Sequence, residues 1–173
     1  MKTSVLTASA FCTALTIILS QLIIPLGPVP ISCSLLAVFL SGSLLPPFPA
    51  FLSQSAYLLL GFAGLPVFAG LSAGPGVLLG PTGGYLLAYP LMALIISFAL
   101  KKQRSSSPVK KCLPLFFALF LCYLSGSLWL SVVSRISLSA AFSAGVLPFI
   151  PFDLIKGFLA LWLSQRLQKA ISL

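Results

Sequence analysis

The stretch that decides the fold runs from residue 83 to residue 134: GGYLLAYPLMALIISFAL (83–100), KKQRSSSPVKK (101–111) and CLPLFFALFLCYLSGSLWLSVVS (112–134). Each outer piece is close to the about 20 apolar residues that carry an α-helix across a hydrocarbon core of roughly 30 Å. The middle piece gathers Lys101, Lys102, Arg104, Lys110 and Lys111, half of the ten Lys and Arg in the chain. Basic residues collected between two spans mark a cytoplasmic loop, whereas nucleic-acid binding wants them spread over a polar face. The segment therefore predicts an all-α integral membrane protein that binds no nucleic acid, with the basic loop 101–111 inside the cell.

The rest of the chain extends this pattern. Of 173 residues, 59% are hydrophobic and 6% charged, with a mean hydropathy of +1.15; soluble domains carry roughly 25% charged residues. Pro and Gly clusters divide the chain into six expected spans, at about 5–24, 33–47, 49–66, 83–100, 112–134 and 149–167. Pro46-Pro47-Phe48-Pro49 alone separates the second from the third. Merging those two would put the basic loop and the C-terminal end on opposite sides. Six spans instead bring Lys2, the 101–111 loop, Arg166 and Lys169 to the cytoplasmic side with both termini, leaving Arg135 as the main basic residue outside. The first apolar run ends at no small-residue cleavage site, so it reads as a retained span. Residues 66–84, PVFAGLSAGPGVLLGPTGG, are too apolar for a disordered tail and too rich in Gly and Pro for a helix, and they are expected to form an outer lid loop. One membrane domain, 1–173, results.

The same composition narrows the chemistry. With one acid, Asp153, and no His, the chain has no second carboxylate for acid/base work and no imidazole for a triad or metal site. Cys12, Cys33, Cys112 and Cys122 show no C-x-x-C spacing, and no G-x-x-x-x-G-K-[ST] cradles a nucleotide. Neither an enzyme nor a resident cofactor or metal is expected, and ATP energy must come from a partner. Asp153 and Lys156 are the exceptions in an apolar span, since a charge at a helix centre costs about 2.5 to 3.5 kcal/mol on insertion scales. Their i, i+3 spacing puts both on one face near the outer end of the sixth span. They read either as a self-neutralising pair or as the floor of an outward-facing pocket, where a carboxylate accepts N–H groups and an ammonium pairs with an anion. Gln21, Ser32, Ser34, Tyr85, Trp129 and Arg135 fall at the same level. On the first span Thr3, Thr7, Ala10 and Ala14 form a small-residue stripe that allows close helix approach.

Several segments together resemble a known family. They are Pro25-Leu26-Gly27-Pro28-Val29-Pro30-Ile31, Gly64-Leu65-Pro66-Val67-Phe68, Gly80-Pro81-Thr82-Gly83-Gly84-Tyr85, Leu128-Trp129-Leu130 and Ile150-Pro151-Phe152-Asp153-Leu154-Ile155-Lys156. The chain is similar over most of its length to the BioY family, the biotin-binding S components of energy-coupling-factor (ECF) transporters. The resemblance implies a six-helix S-component-like bundle in a bacterial plasma membrane that captures biotin from outside. It implies delivery inward with an ECF transmembrane coupling protein and two ATPase subunits. Carried over, the substrate site comprises Asp153, Lys156, Tyr85, Gly84, Ser72 and Trp129, with Asp153 on the ureido N–H groups and Lys156 on the valerate carboxylate. Ala10 and Ala14 fit the family's Ala-x-x-x-Ala coupling face. Three positions depart from the pattern: Phe152 stands where Gly is frequent, Leu86 where some members have Arg, and Ser72 where some have Asn. The alternatives are an S component for another vitamin and a non-transporting membrane assembly protein whose Asp153 and Lys156 merely pair.

Overall fold

The computed structural model describes residues 3–24, 29–103 and 108–170, without the side chains of residues 108–109 and 169–170. Lys2, Pro25, Leu26, Gly27, Pro28, Arg104 and the side chain of Lys169, all used in the sequence reading, lie outside the described residues. Helix α1 (Thr3–Ser20) leads into a small antiparallel hairpin of β1 (Ile23–Ile24) and β2 (Ile31–Ser32), paired Ile23 to Ser32 and Ile24 to Ile31. Then come α2 (Ser34–Leu44), α3 (Pro47–Phe62), a 3-10 turn (Ala69–Leu71), α4 (Pro75–Leu79), α5 (Gly83–Lys102), α6 (Pro108–Ser134), α7 (Leu138–Gly145) and α8 (Ile150–Ala170). Helix α5 is central and packs on α2, α3 and α6, while α1 leans on α2 and α3, and α8 on α2 and α6.

The core around Phe39, Met92, Ile96 and Leu115 is apolar, but along α1 and on the outer faces the packing is inverted relative to a water-soluble bundle. On α1 the buried residues are Ser9, Cys12, Thr13, Thr16 and Ser20, while Leu6, Phe11 and Ile18 are exposed. Phe117, Phe120, Ile155, Phe158 and Trp162 likewise face outward on α6 and α8. Large apolar side chains on the outside and hydroxyls on the inside suit a hydrocarbon solvent, in which each polar group must find its partner within the protein. The α1 hydroxyls do so. Thr13 Oγ1 donates to Ser53 O at 2.8 Å, and Thr16 Oγ1 donates to Cys12 O at 2.8 Å. The fully buried Gln54 of α3 donates to Ser41 Oγ at 2.8 Å and Thr16 Oγ1 at 3.2 Å, joining α1, α2 and α3.

Elements differ from the sequence expectation in three places. The expected span at 33–47 is an 11-residue helix, about 16 Å long at the usual helical rise and shorter than a hydrocarbon core. By length and composition, α1, α5 and the Lys110–Ser134 part of α6 can each cross a membrane, and α7 with α8, bent by 52°, makes a fourth candidate. The 66–84 segment, expected as non-helical, contains the 3-10 turn and α4. Gly74 at φ +88° turns the chain there, and Pro75 supplies a preset φ in the first helical turn. The third difference is α7, which fills the stretch between the fifth and sixth spans; Ser137 caps it by accepting from the Ala140 amide.

The α2/α5 crossing needs a residue without a side chain, since a Cβ at Gly42 would lie 2.8 Å from Ile96 Cβ and 3.0 Å from Ala93 O. Gly42→Val should therefore cost about 1 to 3 kcal/mol as an overpacked contact, seen as a lower melting temperature in detergent. Gly76→Ala, which meets open space, should melt as wild type.

Candidate functional site

Asp153 and Lys156 are the buried charged residues among those described, 1% and 9% exposed. The first turns of α8 carry them, and Lys156 Nζ contacts Asp153 Oδ1 at 2.7 Å. Two other elements complete the cluster. Tyr123 of α6 donates its hydroxyl to Asp153 Oδ2 at 2.7 Å, and Lys156 Nζ donates to the backbone oxygen of Ser32 at 2.8 Å. Ser32 sits at the end of β2, so the hairpin delivers that carbonyl to the ammonium. Its own Oγ shares a 2.6 Å hydrogen bond with Ser34 Oγ, which in turn shares one of 2.7 Å with Tyr89 Oη on α5.

Two adjoining hollows open at this end of the bundle. The smaller, of about 40 Å³, is lined by Asp153, Lys156, Tyr123 and Phe149 among others. The larger, of about 190 Å³, is lined by Tyr57, Phe68, Ser72, Thr82 and Leu86 among others. Val29, Pro30, Ser32, Tyr85 and Tyr89 border both. Tyr57 stacks against Tyr89 with centroids 6.4 Å apart and meets Phe68 edge to face at 5.4 Å. Among the described residues, the hydroxyls of Tyr57 and Tyr85 are buried without a hydrogen-bond partner. Such groups carry a desolvation cost that a polar ligand can relieve. The arrangement can thus hold a small molecule with an apolar or ring-shaped body and at least one polar end.

The structure brings Asp153, Lys156, Tyr85 and Ser72 to the walls of these hollows. Ser72 Oγ donates at 2.8 Å to Ala69 O of its own loop. Gly84 and Trp129 do not line them. Gly84 lets α5 approach α6 against the Trp129 side chain, whose Nε1 donates to Gly80 O at 3.0 Å and ties α6 to the start of α5. Phe152, one of the three departures from the family pattern, is 42% exposed and outside both linings. Arg135 is exposed just beyond α6 with a left-handed backbone, φ +53°. Ala10 and Ala14 are exposed along α1, as are Thr3 and Thr7. Sequence reasoning missed Tyr123 and Tyr89. A phenol inside a span needs a hydrogen-bond partner as a buried charge does, and that signal could have flagged both.

Comparison with known proteins gives concordant results. A family model described as the BioY family matches residues 1–173. The chain is 38% identical over 168 residues to a Pyrococcus horikoshii protein named "Probable biotin transporter BioY", covering 97% of this chain and 98% of that one. It is 37% identical over 171 residues to the Lactococcus lactis subsp. cremoris "Biotin transporter BioY2", covering 96% and 91%. A crystal structure at 2.1 Å of the S-component for biotin from an ECF-type ABC transporter superposes with a TM-score of 0.92 at 37% identity, over 97% of this chain and 92% of that one.

The closed Asp153–Lys156–Tyr123 cluster makes a thermodynamic prediction. Lys156→Met leaves a buried carboxylate uncompensated and should cost about 3 to 5 kcal/mol, whereas Asp153→Leu with Lys156→Met should be far milder. Tyr123→Phe, which removes one hydrogen bond to a charged acceptor, should cost about 1.5 to 3 kcal/mol. Melting in detergent checks the order; a double variant no more stable than Lys156→Met would contradict it.

Proposed function

The chain belongs to the BioY family, and from that premise we infer that it is the biotin-capture subunit, the S component, of an ECF-type uptake transporter. It is a transport protein and not an enzyme, embedded in a membrane by its apolar helices. The observation that carries the reading is the buried Asp153–Lys156 pair facing hollows lined by Tyr85, Tyr89 and Ser32. Biotin offers what such a site needs: ureido N–H donors and a carboxylate, joined by apolar ring and chain.

The finer arrangement we propose has six spans, α1, α2, α3, α5, α6 and α8, with both termini in the cytoplasm of a bacterial cell and the hollows open to the outside. The charge distribution supports it. Helix α5 begins at the hollows with Tyr85 and ends at the exposed Lys101 and Lys102, about 24 Å away at the helical rise. Basic residues favour the cytoplasmic face, which leaves the hollows on the other. Inward delivery would use a transmembrane coupling protein, contacted through Ala10 and Ala14, and two ATPase subunits.

Within the site, Lys156 pairs with the ligand carboxylate and Asp153 accepts from the ureido end. Tyr85 borders both hollows and Ser72 the larger one, with Gly84 and Trp129 bracing α5 and α6 behind Tyr85. One observation favours a second arrangement. Asp153 Oδ1 and Lys156 Nζ lie 2.7 Å apart, so one ureido group could meet both, its N–H on the acid and its carbonyl on the ammonium.

Binding of biotin and of biotin amide to Lys156→Ala separates the two. Under the first arrangement biotin loses more affinity than the amide, by about tenfold for one charge-assisted contact; equal losses favour the second. No biotin binding by the wild-type chain, with another vitamin raising its melting temperature, would reject biotin as ligand. Replacing Ala10 or Ala14 by Leu should leave binding intact and lower uptake by the assembled transporter. Lost binding would place that face in contacts within the subunit.

A further inference from the structure

We propose that Gln21 is a positioning residue for ligand capture: its carboxamide clamps residues 67–71, the wall of the larger hollow, onto the end of the first helix. Sequence position suggested a residue near the pocket, but Gln21 is not part of either lining. Its side chain turns to the loop. Nε2 donates to Val67 O and to Phe68 O, both at 3.1 Å, and Oε1 accepts from the Leu71 amide at 2.9 Å. Ser20 beside it donates to Val67 O at 2.6 Å.

The loop needs such a clamp. Gly70 and Leu71 are both left-handed, at φ +67° and +57°, a conformation that is unfavourable for leucine. The turn's own ladder is one bridge, between Phe68 and Ser72. The Gln21 carboxamide therefore supplies the acceptor and donors that a neighbouring strand would provide. What it holds in register is the wall itself. Phe68, 1% exposed, inserts its ring beside Tyr57 and over Gly61, where a Cβ would collide with it, and Ala69 and Ser72 border the same hollow. Letting go of Val67, Phe68 and Leu71 would free that wall while leaving Asp153, Lys156 and Tyr123 in place. Gln21 thus acts on how long a ligand stays, through the loop, and makes no contact with the ligand.

The inference rests on the hollows being the biotin site, and its test keeps the two questions apart. Hydrogen exchange of the full-length protein in detergent is compared with the rates of biotin association and release, for wild type, Gln21→Leu and the similarly shaped Gln21→Glu. In Gln21→Leu the amides of 67–72 should exchange faster. Biotin should leave on the order of tenfold faster, with association changed less than about twofold, since losses of this kind fall on the off-rate. Gln21→Glu keeps an acceptor for Leu71 but sets a carboxylate oxygen against the Val67 and Phe68 carbonyls in place of the donors, so it too should release biotin faster than wild type; it also carries the comparison if the Leu variant does not fold. Unchanged exchange over 67–72 overturns the clamp whether or not biotin binds. Faster exchange with an unchanged release rate overturns its role in capture. A wild-type chain that binds no biotin overturns the ligand assignment, while the exchange data still decide the clamp.

Discussion

The contact between Lys156 Nζ and Asp153 Oδ1 is the interaction around which the rest is arranged. Each charge is expensive in an apolar interior, and their mutual attraction offsets that cost only when the remaining donor and acceptor positions are also filled. Neither α8 nor its neighbours can be moved without breaking this condition. Asp153 draws in Tyr123 from α6, and Lys156 draws in the Ser32 carbonyl from the hairpin that follows α1. One acid and one base thereby bind three separate parts of the chain at one end of the bundle. The hollow forms where those parts meet, beside side chains that cannot pack flat because they must keep their polar contacts.

The same rule, applied to hydroxyls and amides, shapes the rest of the bundle. Thr13, Thr16, Ser41 and Gln54 interlock where α1, α2 and α3 meet, with Gln54 wholly buried and satisfied. At the pocket end Ser20 and Gln21 do for a loop what Gln54 does for helices. A short helix is tolerated under these conditions. The 11 residues of α2 are almost all buried, packed on α1, α5 and α8, so its ends are covered by protein.

The sequence was most legible where scarcity made a residue conspicuous. Asp153 and Lys156 stand out by their insertion cost alone, and the structure buries both. The long apolar runs around the basic segment correspond to α5 and α6. Tyr123 and Tyr89 were less legible, because a phenol inside a span signals a buried partner but nothing local reveals that its hydroxyl meets Asp153 or Ser34. For Trp129 the motif position suggested a ligand contact, and the structure shows its indole N–H donating to Gly80 O. Short elements such as α4 and α7 escaped because Gly and Pro signals announce a break without saying that a helical turn lies within it.

The orientation of α1 follows from what cannot be turned outward. Ser9, Thr13, Thr16 and Ser20 recur at i, i+4, i+7 and i+11, and each donates to a helix carbonyl, with Thr13 and Ser20 also reaching α3 and the pocket loop. That stripe must face the bundle. Thr3, Thr7, Ala10 and Ala14 share the spacing, and from Ala10 on they lie one residue after it, rotated by about 100°, and are therefore exposed. A rotation of α1 that buried Ala10 and Ala14 would strip Thr13 of Ser53 and Gln21 of Val67, Phe68 and Leu71 together. The helix that carries the exposed small-residue stripe is thus held at that angle by the same hydrogen bonds that fix one wall of the hollow. Presenting the outer face and shaping the hollow are consequences of one rotational setting.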